Sequence, residues 1–186
     1  MLDGYDAVMR EQLQEGEVEQ APAEVTGREV YLSHQAVVPQ SAQTTKLRVV
    51  YDASARAQEK APSLKECLHA GPPLHNKQWS VIVRNRFHPL AVAGDLRRTF
   101  LQVRETERDA LRFHWIADKT GKQVEPLRFT RVVFGLAPSP FLLNGVTQQH
   151  LENLQFRCPD SVIEIRRSLL VNDLISGEPI SEKTKR

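Results

Sequence analysis

The stretch TRVVFGLAPSPFLLNGVTQQHL, residues 130–151, reads first as a strand and then as a helix. Up to Phe134 it is rich in β-branched and aromatic residues, which suit a pleated, half-buried surface. Ser139-Pro140 then offers an N-cap and a proline whose fixed φ suits the first helical turn. The spacing predicts a helix over about residues 140–154, with Phe141, Leu142, Val146 and Leu151 facing inward. Just upstream, residues 111–116 (LRFHWI) and 127–134 (LRFTRVVF) are two β-rich runs. The turn-forming Lys119-Thr-Gly121 lies between them and predicts a hairpin.

Outward from this block the punctuation is clear. Pro89 precedes Leu90-Ala-Val-Ala-Gly94, a compact apolar run that predicts a buried strand ending at Asp95. Val162-Ile-Glu-Ile165 and Leu169-Leu-Val171 read as short strands, with Asn172-Asp173 as a tight turn. Towards the N-terminus, Asp6 to Gln14 carries a short amphipathic helix pattern that ends near Gly16. Glu29 to Val38 and Lys46 to Tyr51 read as extended, and Ala53 to Lys60 as loop. Ser63-Leu-Lys-Glu66 has the capping-box pattern that opens a short helix. Gly71-Pro-Pro73 breaks the chain again, and the last nine residues are polar, the makings of a frayed end. The whole reads as α+β with a mostly antiparallel sheet.

Composition narrows the classes. The chain has 186 residues, 40% of them hydrophobic and 26% charged, enough to bury a core and too apolar for a fully disordered chain. No run of about 18 apolar residues occurs, and the N-terminus lacks the apolar segment of a secretory signal. Two cysteines, Cys67 and Cys158, make neither a disulfide scaffold nor a Cys-rich zinc site, so a reducing, intracellular and cytoplasmic setting is expected. The formal net charge of +2 hides an asymmetry: residues 1–30 hold eight acids and two bases, net −6, which leaves 23 bases and 15 acids, net +8, in the remainder. An acidic segment before a basic body points to a polyanionic partner, and equally to an ordinary mixed surface. Arg84, Arg86, Arg97, Arg98 and Arg104 are candidate phosphate contacts. Trp79 and Trp115 could stack on bases, although core packing is the role expected of each.

Two carboxylates carry the sharpest chemical hint. Asp95 ends an apolar strand, and Asp173 sits 78 positions later at a turn between apolar runs. Taken alone, each is an ordinary turn residue. Converging, such a pair is what two-metal phosphoryl transfer needs, with divalent ions roughly 3.5–4 Å apart. Other clusters are poorer. Cys67, His69 and His75 flank Gly71-Pro-Pro73 but lack a fourth ligand, so a loop with surface histidines is expected there. Asp52-Ala-Ser54 lacks the glycine of an aspartic-protease motif.

The blocks TTKLRVVYDASA (44–55), PLAVAGDLRRTFLQV (89–103), DALRFHW (109–115), TRVVFGLAPSPFLLNGVTQQHL (130–151) and LLVNDLISG (169–177), in this order, resemble the reverse transcriptases of retroviruses and LTR retrotransposons, most closely the BEL/Pao group. The resemblance covers nearly the whole chain. It implies the fingers and part of the palm of a right-hand polymerase, with fingers at 1–75 and 104–140 and palm at 76–103 and 141–186. It further implies that the thumb and RNase H domains are absent from this sequence. It matches Asp95 to the first metal-binding aspartate and Leu96 to a neighbour whose backbone carbonyl faces the metal. Phe100 matches the aromatic beneath the incoming sugar, which excludes a 2′-hydroxyl. Arg48 matches the arginine that holds the triphosphate, with Lys46 assisting, and a guanidinium fork suits phosphate oxygens. Phe134 and Gly135 match the segment that shapes the nucleotide pocket.

The departure falls at the hairpin motif, normally aromatic-x-Asp-Asp and here Leu170-Val171-Asn172-Asp173. In the family the first of these aspartates binds metal. Asn172 in its place offers a neutral oxygen and no charge to attract a hard divalent cation. If the lost carboxylate supplied about 4 kcal/mol of transition-state stabilisation, chemistry would slow roughly a thousandfold. The resemblance therefore implies an RNA-directed DNA polymerase fragment of a retrotransposon Pol polyprotein, weak or inactive as written. Its partners would be an RNA or DNA primer–template and deoxynucleoside triphosphates, and its ions two Mg²⁺ or Mn²⁺. The alternatives are a non-catalytic nucleic-acid-binding remnant or a remnant with no biochemical role.

Overall fold

The computed structural model describes residues 2–25, 28–38, 47–116 and 123–178. Along the chain run α1 (Leu2–Gln14), β1 (Val18–Gln20), β2 (Ser33–Val37), β3 (Arg48–Asp52), α2 (Leu64–Cys67), α3 (Gln78–Asn85), β4 (Leu90–Asp95), β5 (Arg112–Ile116), β6 (Val124–Phe129), α4 (Ser139–Leu154), α5 (Pro159–Ser168), β7 (Leu169–Leu170) and β8 (Asp173–Glu178), with short 3-10 turns at Phe100–Gln102 and Arg108–Leu111. The fold is α+β: among the described residues, helices accompany three small sheets whose strand pairs are all antiparallel. No helix among them is long and apolar enough to cross a membrane. Contacts divide the chain into two compact units, one of Met1–His69 with Phe100–Ser139, the other of Ala70–Thr99 with Pro140–Arg186.

The first unit holds the sheet β1-β6-β5 and the pair β2-β3. The expected hairpin joins β5 to β6 in the register Phe113↔Leu127, and its predicted turn lies outside the described residues. Alternation puts Phe113, Leu127 and Phe129 into a core shared with Met9, Val18 and Leu32. Each such side chain, fully buried, is worth about 1.5–3 kcal/mol. The capping box forms as expected: the Ser63 backbone N–H and hydroxyl both donate to Glu66 Oε2, at 2.8 and 2.9 Å. Tyr5, half-buried, packs edge-on against Trp115 with ring centroids 5.0 Å apart, and burial pushes its phenol up to about 12.

Charge in this unit is internally matched. Arg112, only 2% exposed, donates from Nε and Nη2 to Asp109 Oδ1 at 3.0 and 2.7 Å, and from Nη1 to Glu29 at 3.2 Å. Arg128 donates to the same Asp109 oxygen at 2.8 Å and to Glu19 at 2.8 Å, and Arg108 also reaches Glu19. Glu19 and Glu29 of the N-terminal segment, together with Asp109, thus match three arginines of the basic body. Part of the charge asymmetry in the sequence is spent inside the fold rather than offered to a partner.

The second unit is built on the sheet β4-β8-β7. α3 and α5 pack against β8, burying Val81 and Val162. Position 177 admits only glycine: a Cβ there would lie 2.5 Å from His88 Cβ and 2.7 Å from the Leu90 carbonyl oxygen. Gly71, at φ +74°, is equally constrained, since a Cβ would meet the Phe141 ring at 2.5 Å.

Several expectations change here. The Leu90–Asp95 strand forms, but every residue of it is exposed. Among the described strands it pairs with β8 alone, as an edge, and α3 and α5 pack against β8. Residues 162–165 are not a strand; they sit inside α5, where Pro159 occupies the first turn, Asp160 favours the N-terminal end of the helix dipole and Arg166 and Arg167 the C-terminal end. α4 spans Ser139–Leu154 and buries Leu143 and Leu151, whereas Val146 is exposed. Ser139 is the first helical residue rather than the cap, and its hydroxyl donates to the Val133 carbonyl at 2.6 Å. Trp79 is 73% exposed instead of packed in a core, while Trp115 joins the core cluster.

Candidate functional site

The ladder between β4 and β8 ends on two carboxylates. Asp95 is the last residue of β4 and stands directly opposite Asp173, the first residue of β8. β7 is only two residues long and pairs Leu170 with Asp173, so the chain reverses through Val171 and Asn172 alone. Val171 reaches φ +58°, the left-handed region that a β-branched side chain avoids, and such strain persists only where neighbours hold it in place. Asn172 supplies that hold twice. Its backbone carbonyl accepts from the Leu96 N–H at 3.0 Å, and its Nδ2 donates to Asp95 Oδ1 at 2.7 Å. A carboxylate accepts only, so the amide must present its NH₂ group there. The fold therefore brings Asp95, Leu96, Asn172 and Asp173 together from segments 77 positions apart.

The residues around the turn are anchored from below. Glu164 on α5 accepts from the Ser168 hydroxyl at 2.7 Å, from the Ser176 hydroxyl on β8, and from Arg167 Nε at 2.7 Å. Burial opposes its ionisation, but the two hydroxyls and the guanidinium outweigh it and hold the carboxyl at about 2. Asn76 Nδ2 donates to the carbonyls of Arg166 and Leu169, both at 2.8 Å, and Arg84 donates to the Arg167 carbonyl. These bonds fix the passage from α5 into β7.

The donor set does not fit a pair of divalent cations. Two hard ions would ask for several charged oxygens. Asp95 Oδ1 is already taken by the Asn172 amide, whose nitrogen and not its oxygen faces the carboxylate. The Leu96 carbonyl accepts the Thr99 hydroxyl. Among the described residues no group of three or more His, Cys, Asp or Glu side chains gathers to hold a metal. His69 and His75 are exposed, as expected of a loop, and Cys67, also exposed, ends α2.

The remaining candidates belong to the first unit. Arg48 opens β3 opposite Val37 and is exposed; Lys46 lies outside the described residues. Phe100 is buried, 7% exposed, with its ring edge-on to the exposed Phe134 at 4.6 Å between centroids. Gly135 sits at φ +85° with open space where a Cβ would point, so backbone conformation rather than close approach requires glycine there. The sequence reading missed Thr99, Glu164, Ser176 and Gly177. Of these, only Gly177, an isolated glycine inside a strand, left a signal in the sequence.

The chain matches no family model and no curated protein.

Proposed function

We propose that this chain is the fingers and partial palm of a reverse transcriptase from an LTR retrotransposon, and that it does not catalyse nucleotidyl transfer as it stands. The observation that carries the reading is the meeting of Asp95, Asn172 and Asp173 at one strand end, on a two-residue turn, from positions 77 and 78 residues apart. A polymerase of this class needs carboxylates from distant segments at one point, and here one of them is an amide. Restoring the carboxylate is the direct test. Primer extension with Mg²⁺ or Mn²⁺ is expected to be absent in the unaltered chain and to appear in Asn172→Asp. It is expected to vanish again when Asp95→Ala is added. Extension by the unaltered chain that Asp95→Ala abolishes would overturn the inactive assignment.

One stretch of the chain favours nucleic-acid binding without catalysis. From Cys67 to Gly94 there is no Asp or Glu, while Lys77, Arg84 and Arg86 are present. In that stretch Trp79 and Phe87 are 73% and 82% exposed. Cations close in sequence to exposed aromatic rings suit a single strand, whose phosphates pair and whose bases stack. Anisotropy titrations of a labelled oligonucleotide against salt should show binding that weakens linearly on a log–log plot. A flat salt response would remove this reading.

A further inference from the structure

We infer that Asn172 is a built-in neutral counter-partner for Asp95, which fixes the β4–β8 strand end without a divalent cation. Asp95 and Asp173 face each other directly across the ladder. Like charges so placed repel, and something must offset them. In this chain the offset is a charge-assisted hydrogen bond, 2.7 Å from the Asn172 amide to Asp95 Oδ1. The same residue also closes the backbone ladder through the Leu96 N–H at 3.0 Å. One side chain thus ties the strained turn at Val171 to the neighbouring strand. A carboxylate at this position would place acceptor against acceptor, with no proton to share, and only a cation could mediate the contact. The inference rests on this geometry alone and holds whatever the ancestry of the chain.

Thermal melts of the full chain in EDTA and in millimolar Mn²⁺ test it. The unaltered chain is expected to melt at the same temperature in both. Asn172→Asp should melt roughly 3–6 °C lower in EDTA and recover most of that loss in Mn²⁺. Asn172→Ala should melt lower in both media, with no recovery. A gain in Mn²⁺ by the unaltered chain equal to that of Asn172→Asp would overturn the inference, and so would an Asn172→Asp melt indifferent to Mn²⁺. Should Asn172→Asp fail to fold, the side-chain amide resonance of Asn172 in the unaltered chain decides. A signal that stays sharp as Mn²⁺ is added supports the inference, and paramagnetic broadening of it refutes it.

Discussion

The two units solve the problem of charge and exposure in opposite ways. The first buries an arginine almost completely and surrounds it with matched carboxylates, above a shared aromatic and aliphatic core. The second leaves its most apolar strand bare and puts its carboxylates on the surface at a turn. A buried ionic network adds little net stability but is costly to break, because removing one member strands the others in a dry site. An exposed carboxylate pair costs less to change than a buried network. Removing a member of the first unit's network is therefore expected to cost more stability than a change at the turn of the second.

The largest effect should come from Asp109→Ala. Asp109 Oδ1 accepts from Arg112 twice and from Arg128 once, and without it Arg112 keeps only its weaker contacts with Glu29 and Tyr31 among the described residues. A loss of about 3–5 kcal/mol is expected, read by chemical denaturation with circular dichroism. A loss under about 1 kcal/mol would mean that Arg112 finds water or another partner. The contrast between the units would then fail.

The second unit has one position of similar rigidity. Gly177→Ala drives a methyl group to 2.5 Å from His88 Cβ and 2.7 Å from the Leu90 carbonyl oxygen. Separation of β4 from β8 follows, with a cost of about 2–3 kcal/mol. Hydrogen exchange at the β4 amides should rise in this variant. If it does not, the strand pair is more pliable than its contacts indicate.

The sequence made the site more legible than the packing. Local chemistry fixes a capping box or a reversal, and Ser63 with Glu66 and the strand end at Asp95 follow from a few adjacent residues, while the reversal after Leu170 comes one residue earlier than the Asn172-Asp173 turn the sequence suggests. Burial does not work that way. Leu90-Ala-Val-Ala-Gly94 has the composition of a central strand and is an edge, because which strands and helices lie beside it is decided far away in the chain. Val162-Ile-Glu-Ile165 has strand propensity, but Pro159 and the charges at both ends set a helix, whose packing on β8 overrides propensity. α3 likewise forms although Val81, Ile82 and Val83 are β-branched, and of its residues Val81 is the buried one. The bond from Ser176 to Glu164 spans 12 positions and has no sequence signature.

Acid should reveal how β8 is tied to α5. Glu164 is held below its ordinary value, at about 2, so its ionised form is favoured in the folded state. A depressed carboxyl stabilises the fold fully above its unfolded value, near 4.5, and loses that contribution as pH falls towards about 2. The melting temperature of Glu164→Gln should lie below that of the unaltered chain at pH 6. The gap should close between pH 4.5 and 2. A gap that stays constant over that range would place the stabilisation in the shape of the contact rather than in its charge.

The smallest effect on stability, and a distinct one on behaviour, is expected at Val92. This residue is 53% exposed in the middle of β4, an edge strand whose first five residues carry no charge. Bare apolar edges template pairing with other chains, and a lysine on the edge is the usual deterrent. Val92→Lys should leave the melting temperature nearly unchanged, because the side chain gives up little burial. Its sedimentation profile at high concentration should shift towards monomer, and light scattering on heating should begin later. If Val92→Lys instead lowers the melting temperature by several degrees, the strand is covered in solution. The second unit would then share the buried character of the first.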